Sequence, residues 1–181
     1  EDKVISVARA KDTAHFPADF LLIATSNPCP CGFFGTNKEC TCLPYQIMNY
    51  QRKISGPIID RIDLYVDVDE VEHASILKKQ TTSQTALFTS QITNARAAQL
   101  SRNSKLNSRL SGKDFRTPSM LSAEAKNYLD KASAPLELSA RSYIRVLRIS
   151  RTIADLDGSE AIQASHIAEA LKYVIKISKS I

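Results

Sequence analysis

The sequence predicts an α/β unit followed by an all-α domain, and three observations predict it. Two apolar segments of strand length lie within the first 70 residues. After residue 70 the hydrophobic period lengthens to that of a helix. The charge changes sign at the same place: residues 1–70 carry 7 Lys/Arg against 10 Asp/Glu, and residues 71–181 carry 17 against 9. The expected organisation is therefore an α/β portion over 1–70 and a helical domain over 71–181.

In the first portion, Val4-Ile5-Ser6-Val7 alternates weakly and Ala10-Lys11-Asp12-Thr13 reads as a turn. Phe20 to Thr25 is apolar on both faces and uncharged, the pattern of a strand in a covered parallel sheet. Ile62, Leu64, Val66 and Val68 alternate with Asp63, Tyr65 and Asp67, which predicts a second strand. A short helix is expected between them, from about Pro44 to Lys53.

Helices are expected over residues 85–103, 121–131, 139–156 and 165–177, separated by polar stretches with Ser, Asn, Gly and Pro. Ser139 offers an N-cap to the third, and Gly158 lies just beyond its end. Tyr143, Val146, Leu147, Ile149, Ile153, Ala154 and Leu156 share one broad face of that helix, with Arg141, Arg145 and Arg148 on the opposite side.

With 43% hydrophobic and 24% charged residues, the composition excludes a disordered tail, a collagen-like fibre and a disulfide-dense mini-protein. No apolar run approaches the roughly 20 residues of a membrane span, and the N-terminus begins no signal peptide. The expectation is a soluble, cytoplasmic protein with no membrane partner. Glu1 in the place of an initiator Met suggests a segment of a longer chain. A net charge of +5, concentrated after residue 70, admits a phosphate-bearing partner or an ordinary solvated helical surface.

All four cysteines fall within 14 residues, as Cys29-Pro-Cys31, eight intervening residues, and Cys40-Thr-Cys42. Two close pairs around a turn containing Gly32 and Gly35 can bring four thiolates to one tetrahedral point, which suits Zn²⁺. Reduced thiols without metal and a redox pair are the other readings. Disulfides are the poorer account, because nothing marks the chain as secreted. A zinc held by four protein ligands is structural, since no coordination position is left for a catalytic water.

The stretch Phe20-Leu-Leu-Ile-Ala-Thr-Ser-Asn-Pro-Cys-Pro-Cys-Gly32, followed by Lys53-Ile-Ser-Gly-Pro-Ile-Ile-Asp-Arg-Ile-Asp-Leu64, resembles the magnesium-chelatase-like AAA+ ATPases, and within them the competence-helicase branch. A third block, Leu138-Ser-Ala-Arg-Ser-Tyr-Ile-Arg-Val-Leu-Arg-Ile-Ser-Arg-Thr-Ile-Ala-Asp-Leu156, is similar to that family's lid helix. The resemblance implies the C-terminal end of an AAA+ P-loop α/β domain with a four-cysteine insertion, followed by a helical lid. It also implies ATP and Mg²⁺ as cofactors of the full-length parent, a hexameric ring, and DNA as a partner.

No G-x-x-x-x-G-K-[ST] occurs in the 181 residues, and no Asp-Glu pair follows a hydrophobic strand. In the family both precede the matched region, so this chain alone is expected to be inactive toward ATP. By the same resemblance Asn27 is the sensor that orients the attacking water, against a turn or cap residue before Pro28. Arg61 is the arginine finger reaching into a neighbouring subunit's nucleotide, against a salt bridge with Asp60 or Asp63. Arg141 is the second sensor on the lid, touching the γ-phosphate, against a solvated helix face. Arg145 and Arg148 read as its support or as surface charge, and Arg96 and Arg102 as surface or DNA-facing residues. The competing function is a zinc-stabilised module that binds nucleic acid or protein without nucleotide chemistry.

Overall fold

The structure, a computed structural model, describes residues 3–9, 12–54, 56–59, 61–68 and 84–174. It is a mixed α and β chain that divides into two compact units, residues 1–51 and 52–181. No described helix is long and apolar enough to cross a membrane.

The first unit opens with an antiparallel hairpin of β1 (Val4–Ala8) and β2 (Thr13–Pro17), in which Ser6 faces His15. Arg9 and Asp12 exchange backbone hydrogen bonds of 2.9 and 3.1 Å at its end. The expected turn falls there, although Ala10 and Lys11 lie outside the described residues. A loop carrying the cysteines leads to α1 (Pro44–Gln51), which ends two residues before the expected limit. Its start is fixed by Gln46, whose Oε1 accepts from the Leu43 N–H at 2.9 Å.

Phe20 to Thr25 is not a strand in this structure. The run is extended without a ladder, and Phe20, Leu21, Leu22 and Ile23 are 68–84% exposed. A central strand exists through its neighbours, and the one described sheet is the two-stranded β1–β2 hairpin. Apolar pattern alone supplies neither ladder partners nor a covering layer. Residues 62–68 are corrected in the same way: Leu64, Val66 and Val68 are exposed and make no ladder. That segment is instead tied at single points, by Tyr65 N–H to the Tyr173 carbonyl at 2.8 Å and by Tyr65 Oη to the Ile59 carbonyl at 2.6 Å.

In the second unit a short α2 (Gly56–Ile59) precedes the helices α3 (Gln84–Asn103), α4 (Ala123–Ser133), α5 (Ala140–Leu156) and α6 (Ala164–Val174), with three 3₁₀ turns between Asn107 and Met120. Residues 175–181 lie outside the described residues, so the expected end of the last helix at 177 does as well. Ser122 caps α4 by accepting from Ala125 N–H at 3.1 Å, which starts that helix two residues later than its apolar pattern implies. Ser139 caps α5 as expected, accepting from Ser142 N–H at 3.1 Å. Gly158 adopts φ +68° just past its end, a conformation with little cost for glycine.

The core is formed where α4, α5 and α6 meet, around Ala125, Leu129, Val146, Leu147, Ile162 and Ile167. Leu121 and Ile162 form a parallel bridge that joins the approaches to α4 and α6. The apolar face read for α5 is the buried one at Val146, Leu147, Ile153 and Ala154, but Leu156 is 44% exposed. It lies on the last turn of α5, where the helix has run past the core.

Candidate functional site

The cysteine loop is built by short-range hydrogen bonds. Gly32 N–H donates to the Cys29 carbonyl at 3.1 Å and takes φ +86°, reversing the chain between the first two cysteines and Phe34. Phe34 N–H then donates to Cys29 Sγ at 3.3 Å. Thr36 closes a second turn on the Phe33 carbonyl at 3.1 Å, and its hydroxyl accepts from Lys38 N–H at 3.2 Å. Lys38 Nζ lies 5.5 Å from the centre of the Phe33 ring, a cation–π contact at the loop tip.

These turns gather the four thiols. Cys29 Sγ is 3.3 Å from Cys31 Sγ and 3.8 Å from Cys40 Sγ, and Cys31 and Cys40 are 3.6 Å apart. With Cys42 included, all four sulfurs lie within 4.8 Å of one another. Tetrahedral zinc with Zn–S bonds of about 2.3 Å places its sulfurs about 3.8 Å apart, so the cage is of the right size. All four cysteines are free thiols, and Cys29 is fully buried.

The electrostatics of the cage favour a cation. The backbone N–H of Phe33 and the neighbouring thiols lower Cys31 to about 6. At Cys40 the Cys42 backbone pulls downward, but burial together with Cys31 and Cys29 pushes the thiol up to about 12. Cys42 is raised by the same opposition. Once one sulfur is ionised its neighbours resist ionisation, and a dication at the centre removes that resistance.

Asn27 stands two residues before Cys29, exposed, with its carboxamide against Gly32: a Cβ on Gly32 would sit 3.9 Å from Asn27 Cγ and Nδ2. The carbonyl of Pro28, next to it, accepts from Gln51 Nε2 at the end of α1 at 3.1 Å. Asn27 thus belongs to the first unit, and Arg61 and Arg141 to the second.

Arg61 is exposed immediately beyond α2, held there by its N–H to the Ile58 carbonyl at 2.9 Å. Asp60 lies outside the described residues. Arg141 is half-buried in the first turn of α5, just after the Ser139 cap. The link between these two regions is Arg145, one turn further along α5. It is 7% exposed and donates from Nη1 to the Ile62 carbonyl at 2.5 Å and from Nη2 to Ser142 Oγ at 3.4 Å. Of the two roles read for Arg145, support is the observed one. Arg148 is likewise structural, with Nε donating to the Leu110 carbonyl at 2.6 Å.

Arg102 is not a surface or DNA-facing residue. Its guanidinium grips Asp155 through Nη1 to Oδ1 at 2.6 Å and Nη2 to Oδ2 at 2.9 Å. Asp155 is shared with the fully buried Arg151, which approaches at 2.9 Å and also donates to the carbonyls of Ser159 and Glu160. Asn107 Nδ2 completes the set at 2.7 Å from Asp155 Oδ2, and Gln99 Oε1 accepts from Asn107 N–H. Burial raises Asp155, but Arg102, Asn107 and Arg151 outweigh it and hold the carboxyl below its ordinary range. Burial lowers Arg151. Sequence reasoning missed this network. Its signal was the i, i+4 pair of Arg151 and Asp155 on an otherwise apolar face, one turn below the residues read as core. Arg96 is exposed on α3.

Two family descriptions account for most of the chain. Magnesium chelatase, subunit ChlI, matches residues 1–76, and the C-terminal region of the same subunit matches residues 82–174. The chain belongs to the magnesium-chelatase-like family. Among its relatives, Competence protein ComM of Haemophilus influenzae is 37% identical over 175 residues, covering 96% of this chain and 34% of that protein. The uncharacterized protein YifB of Escherichia coli is 34% identical over 176 residues, with the same coverage. The chain therefore spans about a third of the length of the curated relatives it matches.

Proposed function

We propose that this chain supplies the accessory groups of an AAA+ ATPase: the sensor Asn27, the arginine finger Arg61, and a helical lid carrying the second sensor Arg141. The observation that carries the reading is the family match over residues 1–76 and 82–174, with the three residues standing in its characteristic blocks. The contact of Arg145 with the Ile62 carbonyl supports it, because it fastens the segment bearing Arg61 to the helix bearing Arg141. A finger and a lid sensor joined in this way respond together to what occupies the nucleotide site.

The chemistry follows from the groups. ATP and Mg²⁺, bound mainly by a P-loop and a Walker-type carboxylate absent from this sequence, supply the transferring phosphoryl group and its charge neutralisation. Asn27 presents an exposed carboxamide, able to accept from a water with its oxygen and so fix the direction of attack. Arg61 presents a permanent positive charge to a neighbouring subunit, the contribution that typically accounts for about 10³ to 10⁵ in rate. Arg141 closes on the γ-phosphate from the lid. Cys29, Cys31, Cys40 and Cys42 hold a structural Zn²⁺.

In this reading the parent assembles as a hexameric ring in the cytoplasm and couples hydrolysis to DNA remodelling. DNA as the substrate rests on the resemblance and on the basic balance of residues 71–181. That balance counts for less than its size suggests, since Arg102, Arg145, Arg148 and Arg151 are engaged inside the helical unit. The second reading, a zinc-stabilised binding module without nucleotide chemistry, draws on the cysteine loop and its exposed Phe33 and Lys38 tip.

Steady-state ATPase measurement separates the two. In a protein that joins this chain to a P-loop segment, Arg61→Ala should nearly abolish turnover with ATP binding largely kept, and Arg141→Ala should weaken both. Mixing Arg61→Ala subunits with P-loop-disabled subunits should restore partial activity, because an intact P-loop is then served by a neighbour's intact finger. Mixtures as inactive as either parent, despite confirmed co-assembly, contradict the assignment of Arg61 in trans. The 181-residue chain alone should show no turnover, and sustained hydrolysis by it would contradict the placement of the nucleotide site.

A further inference from the structure

We propose that the cysteine loop is a metal-dependent clamp for the Asn27 side chain, with Gly32 and Gln51 as its positioning residues. The inference rests on the readings of Asn27 as a sensor and of the four cysteines as a zinc site, and it connects the two. A sensor amide works only if it is held in one orientation. Asn27 is exposed, and the stretch before it from Phe20 has no ladder to hold it, so its orientation has to come from the residues that follow.

Three contacts converge there. The Asn27 carboxamide rests against the Cα face of Gly32, close enough that an added Cβ would lie 3.9 Å from both Cγ and Nδ2. Gly32 is itself fixed by its N–H to the Cys29 carbonyl and by φ +86°, which a side chain at this position would strain. The peptide between Asn27 and the first ligand is pinned from the other side, where Gln51 Nε2 donates to the Pro28 carbonyl at 3.1 Å. Cys29 and Cys31 bracket this turn, and Cys40 closes on both of them at 3.8 and 3.6 Å. With zinc joining the four sulfurs, the Cys29–Gly32 turn is locked and the Asn27 amide has a rigid wall on one side and open space on the other. Without the metal, the wall is held only by the weak hydrogen bonds of a short loop.

The Asn27 side-chain amide reports this directly in the ¹⁵N–¹H spectrum of the 181-residue chain, with its signal pair assigned by its loss in Asn27→Asp. Metal content is measured in parallel by elemental analysis. With one zinc bound, the Asn27 pair should be narrow and displaced from the position of a free asparagine amide, and chelation should return it to that position. Gln51→Glu keeps the shape of the side chain but removes the donor to Pro28. It should retain one zinc and the α1 helix while moving the Asn27 pair toward its chelated position. An Asn27 signal unmoved by chelation, or unmoved in Gln51→Glu, with one zinc bound in the native chain, overturns the clamp and leaves the zinc site standing. Failure of the reduced chain to take up zinc overturns both.

Discussion

Among the described residues of 1–51, only Cys29 and Ile47 are buried, whereas the helices over 84–174 enclose an apolar core and a charged network beneath it. Both strands of the hairpin are exposed throughout. The first unit therefore lacks the apolar burial that usually offsets chain entropy. What it has is a cage of four sulfurs of the right size for one metal ion. The second unit has the opposite constitution: Val146, Leu147, Ile162 and Ile167 exclude water, and Asp155 joins three elements through Arg102, Asn107 and Arg151. The comparison teaches that one chain can place sensor and lid groups on supports that obey different controls, coordination chemistry for Asn27 and packing for Arg141.

The largest effect expected from this difference is on the first unit. Structural zinc is typically worth about 10–16 kcal/mol of apparent binding free energy near pH 7. Replacing all four cysteines by Ser should remove metal uptake and unfold the loop, leaving the helical unit's thermal transition within a degree or two. Elemental analysis and far-ultraviolet circular dichroism check both halves of that statement.

Next in size is Asp155→Ala, which strands the guanidinium of the fully buried Arg151. Loss of one partner from a buried pair costs about 3–5 kcal/mol, seen in urea unfolding of the helical unit with zinc content unchanged. The same carboxylate makes that unit sensitive to acid. Asp155 is held below its ordinary value, so its stabilisation is present above the unfolded-state value of about 4 and is lost as pH falls through the folded value. Asp114, lowered by Lys105 and by the Ser111 N–H and hydroxyl, adds in the same direction. Urea midpoints for the helical transition should be flat from pH 7 to 5 and decline below about 4. The smallest effect is at the α5 cap, where Ser139→Ala should cost about 1 kcal/mol, and a double substitution with Asp155→Ala should be additive.

Features with a local cause were the legible ones. Ser139 and Gly158 bound α5 because caps act within one turn, and the cysteine cage was visible because its ligands are 14 residues apart at most. Features whose cause lies far along the chain were not. Phe20 to Ile23 has the composition of a buried strand, but a strand needs partners, and no described strand pairs with it. Arg102 and Arg145 read as surface charge because their acceptors, Asp155 and the Ile62 carbonyl, are 53 and 83 residues away. A basic balance counted from sequence treats such groups as solvent-facing, and the structure places them inside.

Hydrogen–deuterium exchange on the reduced chain, with zinc and after chelation, tests the division most directly. The account predicts that chelation deprotects the backbone amides of residues 28–43, Gly32, Phe34 and Thr36 among them, while amides of α5 and α6 exchange at unchanged rates. Protection in residues 28–43 that is indifferent to zinc, or loss of protection in α5 and α6 when zinc is removed, would contradict it.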